Sequence, residues 1–224
     1  MIEASKLLEI ANWARELDPD HVDRARAGII IKQYPAGSTV HEFGLPSDSW
    51  IGVIDGLMKM RILTPDGREV SLAGLHAGGW FGEGSVLKGE PRRYEILALR
   101  DVTLAVMDRK TFFWLFENSL PFNQFLVRQL NQRLGQFIGQ VIHDRILSTT
   151  ARVARTISTL FDPALYPDAG DSLEITQEEI GLIAGLTRPV TNQALRTLET
   201  RELIRLEYGK IVALDLQKLA ALTT

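Results

Sequence analysis

The side chains best suited to recognising a partner molecule lie close together near the C-terminal end of the sequence. Arginine can pair with guanine or with a phosphate, and asparagine and glutamine can each form two hydrogen bonds with adenine. At helical spacing, such types fall on one outward face of residues 187–196. The face comprises Thr187, Arg188, Pro189, Asn192, Gln193 and Arg196. These types and spacings predict a helix that reads base edges and contacts phosphates.

The neighbouring residues predict how this face is positioned. Thr176 and Glu179 have the spacing of a capping box, which starts a helix, and Gly185 suits the left-handed turn that ends it. Thr187 can cap a second helix. Two helices joined in this way predict a helix-turn-helix, and residues 203–214 predict the β-hairpin, or wing, that often follows. The alternative is a helical hairpin that only packs.

The middle of the chain has a different pattern. From Gly28 to Met107, short apolar or alternating runs are separated by turn residues such as Pro65-Asp66-Gly67. About eight strands at such intervals predict a jelly roll. Residues 3–17 predict a short amphipathic helix before it, and residues 110–118 a short helix after it.

A long helix follows from Pro121. Apolar residues recur in it at spacings of three and four, which is typical of a coiled-coil seam between two chains. The seam comprises Val127, Leu130, Leu134, Phe137 and Val141. A second stripe, which includes Phe122, Leu126, Ile138, Ile142 and Ile146, is expected to face the jelly roll. We therefore expect a homodimer, the alternative being that both stripes are buried within one subunit.

These elements predict an α+β chain of three parts. Residues 1–120 form an effector-sensing β domain, residues 121–147 a dimerisation helix with a hinge near residue 147, and residues 148–224 a winged helix-turn-helix domain. Two-fold symmetry would present paired recognition helices to half-sites one turn of DNA apart.

Composition narrows the class of protein. The 224 residues are 45% hydrophobic and 24% charged, which is typical of a soluble globular protein. No apolar run predicts a membrane span and no signal peptide is evident, so we expect a cytoplasmic protein. The absence of cysteine excludes disulfides, thiolate-bound zinc and a self-ligated iron–sulfur cluster. Because the net charge is −3, DNA binding requires a locally positive surface. The residues that could supply it are Arg188, Arg196, Arg201, Arg205 and Lys210.

This order of domains resembles the cyclic-AMP receptor protein and FNR (Crp/Fnr) superfamily of bacterial transcription regulators. The most specific pieces are Phe81-Gly82-Glu83 followed by Pro91-Arg92, and the segment 175–206. The resemblance implies a homodimeric regulator that binds a palindromic double-stranded DNA operator, works with RNA polymerase and responds to an unknown small-molecule effector. In the family, backbone amides after the glycine and an arginine hold a cyclic phosphate, and the glutamate takes the ribose hydroxyl. The resemblance thus places the effector site at Gly82, Glu83, Gly84, Ser85, Arg92, Arg93, Tyr94 and Phe137.

Two departures from the family pattern bear on the effector. Arg92-Arg93-Tyr94 stands where the nucleotide-binding pattern has Arg-Ser-Ala or Arg-Thr-Ala, and Phe137-Ile138 stands where Thr-Ser binds adenine. We therefore expect a signal other than cyclic AMP, and no metal or other cofactor. The alternatives are a sensor of cyclic AMP or cyclic GMP, and a haem sensor. A third is a ligand-free turn in which Glu83 pairs with Arg92 or Arg93.

For haem, His76 is the candidate ligand, and His21, His41 and His143 are the other histidines. An enzyme is not expected, because the sequence has no cysteine nucleophile, G-x-S-x-G, P-loop or H-E-x-x-H motif. A cyclic-nucleotide-binding subunit that never contacts DNA is disfavoured by the helix-turn-helix. Pro189 and Gln193 stand where the cyclic-AMP receptor protein reads bases with glutamate and arginine, so we expect a different operator sequence.

Overall fold

The computed structural model describes residues 2–143, 148–167 and 169–222, and of residues 140–143 it describes only the backbone. The chain divides into two compact units. Residues 1–58 and 75–132 form the first unit, and residues 59–74 and 133–224 form the second. In the described ranges, no helix has the length and apolar character that a membrane span requires.

Strands dominate the chain before residue 109, where two four-stranded sheets form. The strands are β1 (Ile29–Tyr34), β2 (Thr39–His41), β3 (Ser49–Asp55), β4 (Leu57–Leu63), β5 (Glu69–His76), β6 (Trp80–Phe81), β7 (Glu95–Ala98) and β8 (Val102–Asp108). One sheet has the order β1-β8-β3-β6 and the other β2-β7-β4-β5. The expected β-rich domain is confirmed, and the eight strands before residue 109 agree with the expected number.

The helices of the first unit differ from expectation at the N-terminus. They are α1 (Ala4–Ile10), a 3-10 helix (Asn12–Glu16), α2 (Pro19–Ala27), α3 (Glu83–Lys88) and α4 (Arg109–Asn118). One helix was predicted over 3–17, but Ala11 is extended at φ −134° and ψ 92°. A straight helix would point Trp13 away from the face of Leu7 and Ala11, whereas the break lets all three be buried. The predicted helix at 110–118 is confirmed as α4.

An aromatic cluster forms the core of the first unit. Trp50 lies 4.4 Å from Trp80, and Trp13 lies 5.2 Å from each of them, measured between ring centroids. Phe122, at the start of α5 (Leu120–His143), lies 5.5 Å from Trp50. The first turn of the long helix is therefore anchored in the aromatic core.

The second unit contains a part of the chain near the C-terminus that has four helices and three strands. Its elements are α6 (Thr149–Leu160), β9 (Ser172–Glu174), α7 (Gln177–Ala184), α8 (Arg188–Thr200), β10 (Ile204–Glu207), β11 (Lys210–Ala213) and α9 (Leu216–Ala221). The strands have the order β10-β11-β9, and Glu207 pairs with Lys210 at the predicted wing turn. Neither β9 nor α9 was predicted from the sequence. The hinge predicted near residue 147 lies outside the described residues.

Candidate functional site

Helices α7 and α8 form the predicted helix-turn-helix. The capping box is present: Thr176 Oγ1 accepts from Glu179 N at 3.2 Å, and Glu179 Oε2 accepts from Thr176 N at 2.6 Å. Gly185 ends α7 at φ 65°, the left-handed conformation that favours glycine. Gly181, which the sequence pattern did not single out, is required by packing, because a Cβ there would lie 2.9 Å from Thr191 Oγ1.

The two faces of α8 have opposite character. Thr191, Ala194, Leu195 and Leu198 are buried, with at most 2% of each exposed. Burial of this stripe turns Arg188, Pro189, Gln193 and Arg196 to the surface, where all four are exposed. Thr187 is also exposed, and as the N-cap residue it makes no side-chain cap hydrogen bond, contrary to expectation. Its carbonyl accepts instead, from Thr191 N at 2.9 Å and from Thr191 Oγ1 at 3.0 Å.

Asn192 differs from its neighbours on the predicted face. It is only half-exposed, and its Oδ1 is buried without a hydrogen-bond partner among the described residues. The groove along this side of α8 continues past the predicted residues to Thr197, Thr200 and Arg201. The last turn of α8 therefore adds Thr197 and Thr200 to the groove, and Arg201, expected only as a source of positive charge, lies at its end.

The wing presents its tip to solvent. Tyr208 is fully exposed, and Gly209 takes the left-handed conformation at φ 67°. Arg205 forms an ion pair with Glu207 at 3.0 Å, and Lys210 is half-buried. Of the five cations that were expected to supply local positive charge, Arg188, Arg196 and Arg201 are the exposed ones on α8 and at its end.

The second predicted site is the loop of residues 81–94, which belongs to the first unit. Gly82 has φ 98°, and a Cβ on it would lie 2.5 Å from Arg92 Nη2. Glycine is thus required at position 82 both by backbone conformation and by the approach of the guanidinium. Glu83 is 3% exposed, and Gly84 and Ser85 are half-buried in the first turn of α3.

Arg92 fills the interior of this loop. It is 0% exposed, and it donates from Nε to Ser47 Oγ at 3.0 Å and from Nη2 to the Ser49 carbonyl at 2.8 Å. Its guanidinium lies over the rings of Phe81 and Tyr94, 5.4 Å and 5.9 Å from their centroids. Nη1 is buried without a hydrogen-bond partner in the described part of the chain.

Arg93 has the opposite environment. Its side chain is 82% exposed, and Nη2 lies 3.4 Å from Glu90 Oε2. The structure therefore separates two adjacent arginines that the sequence analysis grouped together. Phe137, which was assigned to the same site, belongs to the second unit and is 38% exposed.

The histidines considered as haem ligands have different environments. His76 is 4% exposed at the end of β5. His41 contacts the carbonyls of Glu42 and Pro46 through its two ring nitrogens, at 2.9 Å and 3.2 Å. Burial, followed by the charge of Arg92, lowers the pKa of His41 below its usual value. The side chain of His143 lies outside the described residues. Among the residues that are described, acidic and histidine side chains form no cluster able to hold a metal ion.

The long helix α5 leaves an apolar stripe exposed. Val127, Leu130, Leu134 and Phe137 are 66%, 36%, 57% and 38% exposed. Val141, Ile142 and Ile146, also assigned to the two predicted stripes, lie outside the described side chains. Ile138 was expected to be buried with Phe122 and Leu126, but it is 54% exposed, so that buried stripe is confined to the first turns. Gln129 is buried beside those turns and donates to the Trp80 carbonyl at 3.2 Å.

Two family patterns match this chain. Residues 31–119 match the family described as cyclic nucleotide-binding domain, and residues 151–222 match the Crp-like helix-turn-helix domain. They cover the β-rich part of the chain and the winged helix-turn-helix.

Relatives match this chain over most of their length. The cAMP-activated global transcriptional regulator CRP of Pasteurella multocida is 30% identical over 186 residues, which are 81% of this chain and 88% of that protein. A CRP-like cAMP-activated global transcriptional regulator of Mycobacterium tuberculosis is 29% identical over 194 residues, covering 84% and 85%.

Solved structures show the same fold. FixK2 of Bradyrhizobium japonicum has a TM-score of 0.67 at 20% identity, covering 88% of this chain and 98% of that one. The c-di-GMP responsive global regulator CLP of Xanthomonas campestris has a TM-score of 0.59 at 22% identity, covering 88% and 99%.

The different burial of Arg92 and Arg93 predicts different effects of the same substitution. Arg92→Ala should lower the free energy of unfolding by about 2–4 kcal/mol, because it leaves a cavity between two rings and leaves two acceptors without their donor. Arg93→Ala, one residue away on the surface, should change it by less than about 0.5 kcal/mol. Urea denaturation of both variants measures the difference, and equal effects would contradict the assignment of Arg92 as the interior side chain.

Proposed function

Since the chain belongs to the Crp/Fnr family of transcription regulators, we propose that it is a homodimeric regulator that binds a specific palindromic operator. The observation that supports this proposal most directly is the exposed polar face of α8 opposite a fully buried apolar stripe. Such a helix can enter the major groove with its polar face while the domain core remains intact.

The residues of α8 have distinct proposed roles. Arg188 and Gln193 read bases, because their exposed side chains can form paired hydrogen bonds with base edges. Asn192 is also assigned to base reading, for which its amide must rotate so that Oδ1, which is buried, faces the groove. Thr187 and Arg196 contact phosphates, and the lack of a cap bond leaves the Thr187 hydroxyl suited to this role. Pro189 lies in the first turn of α8, exposed beside the reading residues. Arg201 adds a further cation at the end of the helix.

The proposed dimer is supported by the exposed stripe on α5. Isolated surface leucines are ordinary. Four exposed apolar residues at coiled-coil spacing on one long helix are typical of a helix that packs against a partner helix. A second copy of the same chain fits best, because a symmetric operator requires two recognition helices related by a two-fold axis. We further propose that the regulator contacts RNA polymerase and is cytoplasmic.

The proposed signal is a molecule other than cyclic AMP. The relatives from Pasteurella multocida and Mycobacterium tuberculosis are described as cAMP-activated, and a cyclic nucleotide remains the second candidate here. Against it, Arg92 already spends two donors on Ser47 and Ser49 and packs between two rings. Holding a cyclic phosphate would either break these contacts or use Nη1, which is buried and has no hydrogen-bond partner among the described residues. Phe137 offers no hydrogen bond to adenine.

Replacing one reading residue should change specificity more than overall affinity. For Gln193→Ala we expect a loss of about 1–3 kcal/mol of binding free energy on an operator enriched from random duplex DNA. The loss should be confined to one base pair, and non-specific binding should be nearly unchanged. Arg196→Ala should weaken binding to all sequences and reduce the slope of affinity against salt by about one. Fluorescence anisotropy at fixed salt measures both. Gln217→Ala, an exposed glutamine on α9, is the matched control and should have no effect. A uniform loss for Gln193→Ala would contradict its role.

A charge placed in the seam should separate the subunits. Leu134→Glu puts two carboxylates in facing positions of an apolar interface, so the dimer dissociation constant should rise at least about tenfold. Leu63→Glu makes the same change at a residue that is 45% exposed on β4, outside the seam, and should leave the dimer intact. Sedimentation equilibrium measures both. A wild-type chain that is monomeric at micromolar concentration would refute the proposed dimer.

Cyclic nucleotides should bind weakly or not at all. In calorimetric titration with cyclic AMP and with cyclic GMP, we expect no saturable heat below about 1 mM. The regulator from Pasteurella multocida, titrated with cyclic AMP in the same buffer, is the positive control. Binding at micromolar strength would favour the cyclic-nucleotide alternative, and a haem absorption band in the purified protein would favour the haem alternative.

A further inference from the structure

A cavity of about 270 Å³ lies wholly within the second unit. One wall is formed by residues 69–74 of β5, and the others by α5, α6 and the end of α7. This volume is close to the lower end of the range for small-molecule sites in proteins. The cavity is separate in the sequence from the loop of residues 81–94.

Three arginines give the cavity a positive lining. They are Arg133 on α5 and Arg152 and Arg155 on α6. Glu69, the one carboxylate that lines it, is already paired with Lys59 and Arg61. Burial opposes the charge of Glu69, but hydrogen bonds from the two cations hold its pKa below the usual value, so it is ionised and compensated. The three arginines therefore exceed the acidic groups of the lining.

The arginines of α6 are held in place by the protein. Arg152 donates from Nη2 to the Ala184 carbonyl at 3.1 Å, and Arg155 donates from Nη1 to the Ala220 carbonyl at 3.2 Å. Each of these bonds uses one of the five N–H donors of a guanidinium. Gly139 on α5 makes room for Arg155, since a Cβ there would lie 2.2 Å from its Nη2. Such fixed guanidinium groups are suited to a carboxylate or a phosphate.

The rest of the lining is partly apolar. Phe137, Leu165 and Ile183 contribute carbon surface, and Thr156 and Thr159 contribute hydroxyls. The Tyr166 hydroxyl donates to the Gly74 carbonyl at 3.0 Å, and burial raises its pKa to about 12. This phenol therefore stays neutral and adds no negative charge that would oppose an anion.

We propose that this cavity binds a small organic oxyanion, with a carboxylate or phosphate on the three arginines and an apolar body against Phe137 and Leu165. Because α7 forms part of the wall, a bound anion would favour one arrangement of the second unit and so change DNA affinity. That regulatory consequence rests on the proposed DNA-binding function, whereas the binding itself does not.

Calorimetry on the full chain tests the site with defined probes. Phenyl phosphate and benzoate carry the two oxyanions on one apolar ring, and benzyl alcohol carries the ring without charge. We expect saturable binding of at least one anion below about 1 mM, and none of benzyl alcohol. Phenyl phosphate alone would identify a phosphate ester, and benzoate alone a carboxylate. Binding of neither anion, or equal binding of benzyl alcohol, would overturn the proposal.

Variants test whether the arginines are responsible. Arg133→Met and Arg155→Met keep most of the side-chain length and should each weaken the bound anion at least about tenfold. Arg128→Met is the matched control on α5, because Arg128 lies outside the cavity and pairs with Glu16 at 3.1 Å. It should leave the affinity unchanged. Loss of binding only in Arg128→Met, or in none of the three, would overturn the assignment.

A measurement on the wild-type chain covers the case in which a variant fails to fold. Phenylglyoxal modifies accessible arginines, and mass spectrometry locates them. The bound probe should protect Arg133 and Arg155 but not Arg128, and equal modification with and without probe would overturn the site. Operator binding is measured without probe, so a protein that binds DNA but no probe refutes only this inference. A protein that binds probe but no DNA refutes only the proposed function.

Discussion

The apolar stripe of α8 is the constraint on which the reading function depends. Ala194, Leu195 and Leu198 are buried almost completely, and α6 is a main packing partner of α8. A helix can bury only one stripe against its own domain, so this packing decides which side chains remain outside. Gly181 tightens the arrangement, because the absence of a side chain lets Thr191 approach α7. Rigid packing behind the helix is what allows a few exposed polar groups to discriminate between bases, since recognition requires that their positions be fixed.

The long helix α5 is constrained differently along its length. Its first turns are fixed by Phe122 and Leu126 in the aromatic core and by the hydrogen bond from Gln129 to Trp80. Trp80 is two residues before Gly82, so the helix and the loop of residues 81–94 share a direct connection in the first unit. A displacement of that loop would also displace the helix, because a packed aromatic cluster has few intermediate arrangements. The exposed stripe begins in the same turns.

Much of this organisation could be predicted from the sequence, because caps, turns and apolar periodicity act locally. Thr176 with Glu179, Gly185, and the hairpin turn at Tyr208-Gly209 are found as expected. The break at Ala11 could not be predicted, because it depends on where Trp13 finds partners from distant strands. The same reason explains Arg92 and Arg93: two identical residues in sequence are distinguished only by Ser47, Phe81 and the missing Cβ of Gly82. The cavity could not be predicted from the sequence either, because its arginines lie on two helices, with Arg133 and Arg152 19 positions apart.

The contrast between the arginines of the two units bears on how a fold of this family can change its ligand. A buried guanidinium that is satisfied by its own protein stabilises a loop, and the energy of those contacts must be given up before it can hold a phosphate. In the first unit, Arg92 comes closer to this state: it is fully buried and donates to a hydroxyl and a carbonyl, although its Nη1 has no hydrogen-bond partner among the described residues. In the second unit, Arg152 and Arg155 are half-exposed and each is anchored by one carbonyl, which fixes the group without exhausting its donors. Anchoring of that kind lowers the conformational entropy lost on binding. An arginine therefore binds an anion more tightly when its side chain is fixed but some of its N–H donors remain unused. The role of an arginine therefore depends more on how many of its N–H donors the fold already uses than on its position in the sequence.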